Sequence, residues 1–210
     1  MRMSPGEATT VRATGPGRDG PPRSAKRLYF FTSNRAKVSE ARLYLNPLGY
    51  DVLWRRADLL EPQSDSLEDV VRVKLESAPP VKGLAMVEDS GFFVHSLNGF
   101  PGVYSSYAFK ALGCEAIIRL LDDLPRGAHF EAVVGIRLGS KVRLFRGLER
   151  GSVSTRPRGH EGFGFDPVFV PEGSSLTMAE MPRTEKVKVS HRSKALASLA
   201  EWLEEESRRR

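Results

Sequence analysis

From residue 26 onward, short apolar runs alternate with stretches in which apolar residues recur every three or four positions. Residues 28–32 (LYFFT) form a β-prone run. Ser33 and Asn34 follow, both favourable N-cap types, and a helix is predicted from about 36 to 45. Val38, Ala41, Leu45 and Leu48 fall at helical spacing there. Asn46-Pro47-Leu48-Gly49 ends that helix, and residues 50–54 read as a second strand. After the loop at 62–65, Leu67, Val70, Val71, Lys74 and Leu75 mark another helix, stopped by Pro79-Pro80. Residues 84–87 predict an apolar strand, and residues 92–97 a separate strand beside it. A helix is predicted over 115–121. Residues 129–138 and 141–148 predict a hairpin around Gly139-Ser140, with Phe130, Ala132, Val134, Ile136 and Leu138 alternating along its first arm. The last helix is predicted from Ser190 to about Glu206, with Ser190 as cap and Leu196, Leu199, Ala200 and Leu203 as its buried stripe. There is no internal repeat. Strand–helix alternation followed by a hairpin predicts an α/β fold with a mixed sheet.

Composition narrows the class. The 210 residues are 40% hydrophobic and 28% charged, which fits a soluble globular protein with one large domain or two lobes. No apolar run reaches the length of a membrane span, and the N-terminus lacks the apolar core of a signal peptide. The single cysteine, Cys114, permits no internal disulfide and fits a reducing cytoplasm; its plain alternative is a small buried hydrophobe on a helix. The net charge of +6 suggests nucleic acid until its distribution is examined. Arg2, Arg12, Arg18 and Arg23 stand against only Glu7 and Asp19 in the first 25 residues, and Arg208, Arg209 and Arg210 close the chain. The body between these ends is nearly neutral, so neither nucleic acid nor a membrane is the expected partner. Residues 1–25 are rich in Gly, Pro, Thr and Arg without an apolar period, and are predicted to be a disordered extension or the product of an upstream start codon. The folded domain is expected to span 26–207.

Three constellations carry candidate chemistry. The first is TSNRAK, comprising Thr32, Ser33, Asn34, Arg35, Ala36 and Lys37. A loop entering a helix offers unpaired backbone N–H groups, and Lys37 adds a full charge, a combination that suits a phosphate chain. A plain capped surface helix has the same signature, and the Walker A pattern is absent. The second is a set of acids. Glu88 and Asp89 adjoin at the end of an apolar run, and Glu61 follows a strand in DLLEP. If the strands lie side by side, Glu61 and Asp89 point into one crevice, where Mg²⁺ takes one or two carboxylates plus phosphate oxygens. Solvated loop acids are the alternative. The four histidines lack zinc spacing. The third comprises GFGFDPVF and AEMPRTEKVKVSHRSKAL. Phe163 and Phe165 are candidates for stacking on a base, or core residues. Gly162 and Gly164 permit close backbone approach, and Pro167 helps fix Asp166. Lys186 suits a phosphate, and His191 and Arg192 suit a base carbonyl, unless all three form a surface charge cluster. No G-x-S-x-G elbow supports a serine hydrolase.

Taken together, these segments resemble the inosine triphosphate pyrophosphatase family, enzymes that hydrolyse ITP, dITP and XTP to the monophosphate and pyrophosphate. The resemblance covers about 28 to 199 and rests on TSNRAK-x-x-E (to Glu40), EDSGFFVHSLNGFPGVYS (from Glu88), GFGFDPVF and AEM…EK…SHR, in the family's order. It implies two lobes around a long central mixed sheet, a nucleotide cleft between them, and a homodimer. It further implies Mg²⁺ held by Glu61 and Asp89, with Asp89 as proton acceptor. TSNRAK and Lys74 would hold the phosphates, and Ser90 would contact substrate. Phe163, Gly164, Phe165 and Asp166 would frame the base, with Phe163 stacking on it, and Lys186, His191 and Arg192 would complete the contacts. Ser106 stands where many relatives carry a basic residue, and Val187 where many carry asparagine. A related hydrolase acting on methylated or ordinary bases, and a non-enzymatic nucleic-acid binder using the basic ends, are the rival readings.

Overall fold

A computed structural model describes residues 26–209. The expected extension, 1–25, lies outside the described residues. The chain forms β1 (Lys26–Phe31), α1 (Arg35–Leu45), β2 (Tyr50–Arg55), α2 (Leu67–Ser77), β3 (Leu84–Val94), β4 (Pro101–Gly102), α3 (Ser105–Leu120), β5 (Gly127–Leu138), β6 (Lys141–Val153), β7 (Phe169–Pro171), α4 (Arg183–Val189) and α5 (His191–Arg208). One sheet runs in the order β2-β1-β3-β5-β6-β7, with β4 on β3. The β2–β1–β3 pairs are parallel, and β3–β5, β5–β6 and β6–β7 are antiparallel, giving the expected mixed α/β sheet.

Period-two alternation sorts the parallel strands between two faces. Leu28, Phe30 and Met86 point to α1 and α5, where Val38, Leu45, Leu196, Leu199 and Leu203 complete one core. Tyr29, Phe31, Ala85 and Val87 point to α2 and meet Val71 and Leu75. A separate core, built on Phe92, Val94, Ile117, Phe130, Phe165 and Phe169, lies at the far end of β3 and β5. The long strands thus carry two lobes.

Three expectations need correction. Residues 84–97 are not two strands: β3 is continuous to Val94, and a 3₁₀ turn takes 95–97. It pairs with β5 from Ala85↔Arg137 to Val94↔Ala128, so the polar trio Glu88-Asp89-Ser90 lies within a strand rather than at its end. The helix expected at 115–121 is the second half of α3, which starts at Ser105 and kinks at Gly113 (φ 70°, ψ −176°). The kink breaks the apolar period and hides the first half. Ser190 precedes α5 but its side chain makes no capping hydrogen bond.

Candidate active site

Strands β1 and β2 end together, at Phe31 and Arg55, while β3 runs on to Val94. Phe30 pairs with Met86, so Thr32 lies level with Glu88 at the carboxyl edge, where ligands bind in open α/β sheets. The loop leaving β1 is shaped by its own polar side chains. Asn34 Oδ1 accepts from the Ala36 N–H at 2.9 Å, and Thr32 Oγ1 accepts from the Asn34 N–H at 3.1 Å. The Trp54 indole donates to the Thr32 carbonyl at 2.8 Å, and the Arg35 guanidinium lies 4.5 Å from the Trp54 ring centre. Ser33 stays exposed beside the first turn of α1.

Glu88 and Asp89, neighbours in sequence, face opposite sides of the sheet. Glu88 is buried toward α1 and α5 and pairs with Lys37 Nζ at 2.5 Å and Arg192 Nε at 3.0 Å. Burial raises its pKa, but Arg192 and Lys37 outweigh that and hold it at about 2. Arg192 also donates to Glu40 Oε2 at 3.1 Å and Ser90 Oγ at 3.3 Å. Burial opposes its charge; Glu88 and Glu40 overcome this and raise its pKa. Glu88 enters the expected set of acids only as the neighbour of Asp89, and Glu40 only as the end of the first motif, with no role assigned. Strict alternation along a continuous β3 is the signal that separates Glu88 from Asp89.

On the other face, Lys74 of α2 reaches two carboxylates at once: Glu61 Oε1 at 2.8 Å and Asp89 Oδ2 at 2.8 Å. The two acids therefore converge within twice that distance. The route differs from the expected one, because β1 separates β2 from β3, so the strands bearing the acids are not neighbours. Glu61 arrives on the loop between β2 and α2, anchored where the Leu60 N–H donates to Ser77 Oγ at 3.0 Å. Asp89 Oδ1 accepts from the Ser90 N–H at 2.8 Å. Burial pulls the Lys74 pKa down, but Asp89 and then Glu61 raise it above the ordinary value.

The third constellation gathers at the start of α5. Asp166 Oδ2 accepts from Lys186 Nζ at 2.6 Å and the Phe163 N–H at 2.7 Å, closing the 162–166 loop. Gly162 has φ +84°, and a Cβ there would meet Asp166 Oδ2 at 2.1 Å. Phe163 is 44% exposed, with Lys186 Nζ and Arg192 Cζ at 5.7 and 5.5 Å from its ring centre. Phe165 is a core residue instead, stacked on Phe92 and edge-on to Phe109, while Gly164 turns the chain between the two rings (φ +61°). His191 is buried and stacks on Phe130 at 4.8 Å. Burial, then Arg192, drives its pKa well below 6.5, so the ring is neutral at physiological pH. Its Nδ1 has no partner among the described residues.

The mixed α/β sheet thus carries an amide-lined loop after β1, an acid pair bridged by Lys74, and a cluster of Phe163, Lys186 and Arg192. The chain belongs to the Ham1 family, whose model matches residues 28–202. The dITP/XTP pyrophosphatase of Thermococcus kodakarensis is 45% identical over 85% of this chain and 98% of its own length. The protein of the same name from Pyrococcus horikoshii is 42% identical over 84% of this chain and 96% of its own. A solved structure of a HAM1 protein from Coxiella burnetii superposes with a TM-score of 0.75 at 25% identity, covering 86% of this chain and 99% of that one.

Proposed function

We propose that this chain is a nucleoside triphosphate pyrophosphohydrolase that converts ITP, dITP and XTP to the monophosphate and pyrophosphate, clearing deaminated purines from the nucleotide pool. The convergence of Glu61 and Asp89 on one point, at the edge that also carries the 32–37 loop, supports this conclusion most directly.

The acid pair offers only hard oxygen donors, the ligand class Mg²⁺ takes when substrate phosphates fill its other positions. Glu61 and Asp89 would hold Mg²⁺, which when bound neutralises phosphate charge and orients the attacking water. The amides and side chains of Thr32, Ser33, Asn34, Arg35 and Ala36, with Lys37 and Lys74, grip the triphosphate. Asp89 accepts the proton of the water that attacks the α-phosphorus, and pyrophosphate leaves. Ser90 contacts substrate from the opposite face, where its Oγ accepts from Arg192. Phe163 stacks on the base from its exposed face, above a loop held by Asp166, with Gly164 leaving room and Phe165 bracing it from the core.

Base choice follows from hydrogen-bond sign. Hypoxanthine and xanthine carry a carbonyl at C6, where adenine carries an amino group. Arg192, neutral His191 or backbone N–H groups offer donors to that carbonyl. Each buried donor left unpaired by adenine costs about 1–3 kcal/mol, and two give roughly a hundredfold or more against ATP. The expected result is a kcat/KM for ITP, dITP and XTP at least about a hundredfold above ATP, with pyrophosphate as co-product. Equal values for ITP and ATP contradict the assignment. The enzyme works in the cytoplasm, in keeping with its single cysteine. It pairs as a homodimer, for which exposed Phe100, Tyr104 and Tyr107 offer apolar area.

A further inference from the structure

Lys74 occupies the point that both acids face. Its Nζ lies 2.8 Å from Glu61 Oε1 and 2.8 Å from Asp89 Oδ2, and its side chain is only 12% exposed. Local structure reinforces this placement. Lys74 sits in the last turn of α2, where Ser77 Oγ donates to its carbonyl at 3.1 Å. The same Ser77 Oγ accepts from the Leu60 N–H, so the residue before Glu61 is tied to the turn that carries Lys74. Ser77 thus ties the backbone beside Glu61 to the turn that carries Lys74, and the Glu61 side chain, itself 69% exposed, reaches the ammonium from the solvent side.

A divalent cation coordinated by both acids needs oxygens at about 2.0–2.1 Å. An ammonium 2.8 Å from Glu61 Oε1 and from Asp89 Oδ2 occupies one oxygen of each acid and sets a like charge where a bridging cation would sit, so the two oppose one another there. Displacing Lys74 strips a mostly buried ammonium of its largely buried pair with Asp89 and its more exposed pair with Glu61, which is costly unless new acceptors are supplied. Phosphate oxygens are such acceptors. We propose that the Lys74 ammonium and the divalent cation compete for Glu61 and Asp89, and that substrate phosphates, by drawing Lys74 off the acids, make cation and nucleotide bind cooperatively. This rests on the assignment of Glu61 and Asp89 as the cation-binding acids. By linkage the effect is reciprocal: the cation tightens nucleotide by the factor by which nucleotide tightens the cation. An enzyme built this way holds little cation until a triphosphate arrives.

Mn²⁺ binding to the full chain, freed of metal by chelation, tests this by calorimetry with and without the α,β-methylene analogue of ITP. Without the analogue, K74M is expected to bind Mn²⁺ on the order of tenfold tighter than wild type, and K74R, which keeps the charge, to stay near wild type. The analogue is expected to tighten Mn²⁺ binding strongly in wild type and little in K74M. Mn²⁺ is also expected to raise the Tm of K74M more than that of wild type. The same binding for K74M as for wild type, with E61Q and D89N both weaker, overturns the competition and leaves the acids as cation ligands. Unchanged Mn²⁺ affinity in both E61Q and D89N places the cation elsewhere and overturns the acid assignment along with it.

Discussion

A single-residue step along β3 separates two carboxylates into different jobs. Asp89 faces Lys74 and Glu61 and carries the proposed proton transfer. Asp89→Asn keeps the shape and removes the base, so turnover with ITP should fall about 10²-fold or more, measured as pyrophosphate release. Near wild-type turnover would take Asp89 out of that role. Glu88 is buried between Lys37 and Arg192 and serves the network that holds both cations. Its folded pKa is lowered from an ordinary 4.5 to about 2. A depressed carboxylate stabilises the fold fully above the unfolded value and loses that contribution as pH falls through the folded one. Glu88→Gln should therefore cost about 3–5 kcal/mol near neutral pH, because Arg192 is left buried without its counter-charge. The gap to wild type should narrow as pH drops from about 4.5 towards 2, followed by urea unfolding at a series of pH values. A gap independent of pH would show that Glu88 is not the ionised partner. Adjacency suggested one shared role for Glu88 and Asp89. Only the strand's alternation, visible once β3 is known to be continuous, assigns them to different faces.

Elements with a long, clean period were legible in the sequence. The buried stripes of α1, α2 and α5, and the β5–β6 hairpin turning at Gly139-Ser140, stand where apolar spacing predicts them. The misses share a cause: tertiary partners overrode local signals. Glu88, Asp89 and Ser90 look like a strand end because nothing local offsets their polarity, yet Lys37, Arg192 and Lys74 come from distant elements. Phe165 stood open between base stacking and core because the partners that settle it, Phe92 and Phe109, are remote in sequence. Element packing also sets the site through a residue that carries no chemistry. A Cβ on Gly147 of β6 would meet the His191 carbonyl oxygen at 2.0 Å and the Ala195 nitrogen at 2.5 Å, both backbone atoms of α5. Gly147→Ala should lift the first turn of α5 off the sheet at a cost of about 1–3 kcal/mol. His191 and Arg192 ride on that turn, so KM for ITP should rise as Tm falls. A lowered Tm with an unchanged KM would separate this packing from the base pocket.

At the scale of the whole molecule, two apolar clusters cover the faces of the parallel half, a third lies at the far end of β3 and β5, and the proposed chemistry sits at the carboxyl edge of β1 between them. The +6 charge, a tempting sign of nucleic-acid binding, is concentrated in the first 25 residues and the final arginines, and Arg208, which closes α5, pairs with Glu204. The order of the four motifs made the family legible from sequence. The convergence of Glu61 and Asp89 needed coordinates, because their loop and strand are separated in the sheet by β1. The proposed reaction is the attack of a water, deprotonated by Asp89, on the α-phosphorus. Hydrolysis of ITP in ¹⁸O-labelled water with Mg²⁺, with the products resolved by mass spectrometry, tests that step directly. The account predicts one labelled oxygen in IMP and none in pyrophosphate. Label in pyrophosphate, or release of orthophosphate in its place, would contradict it.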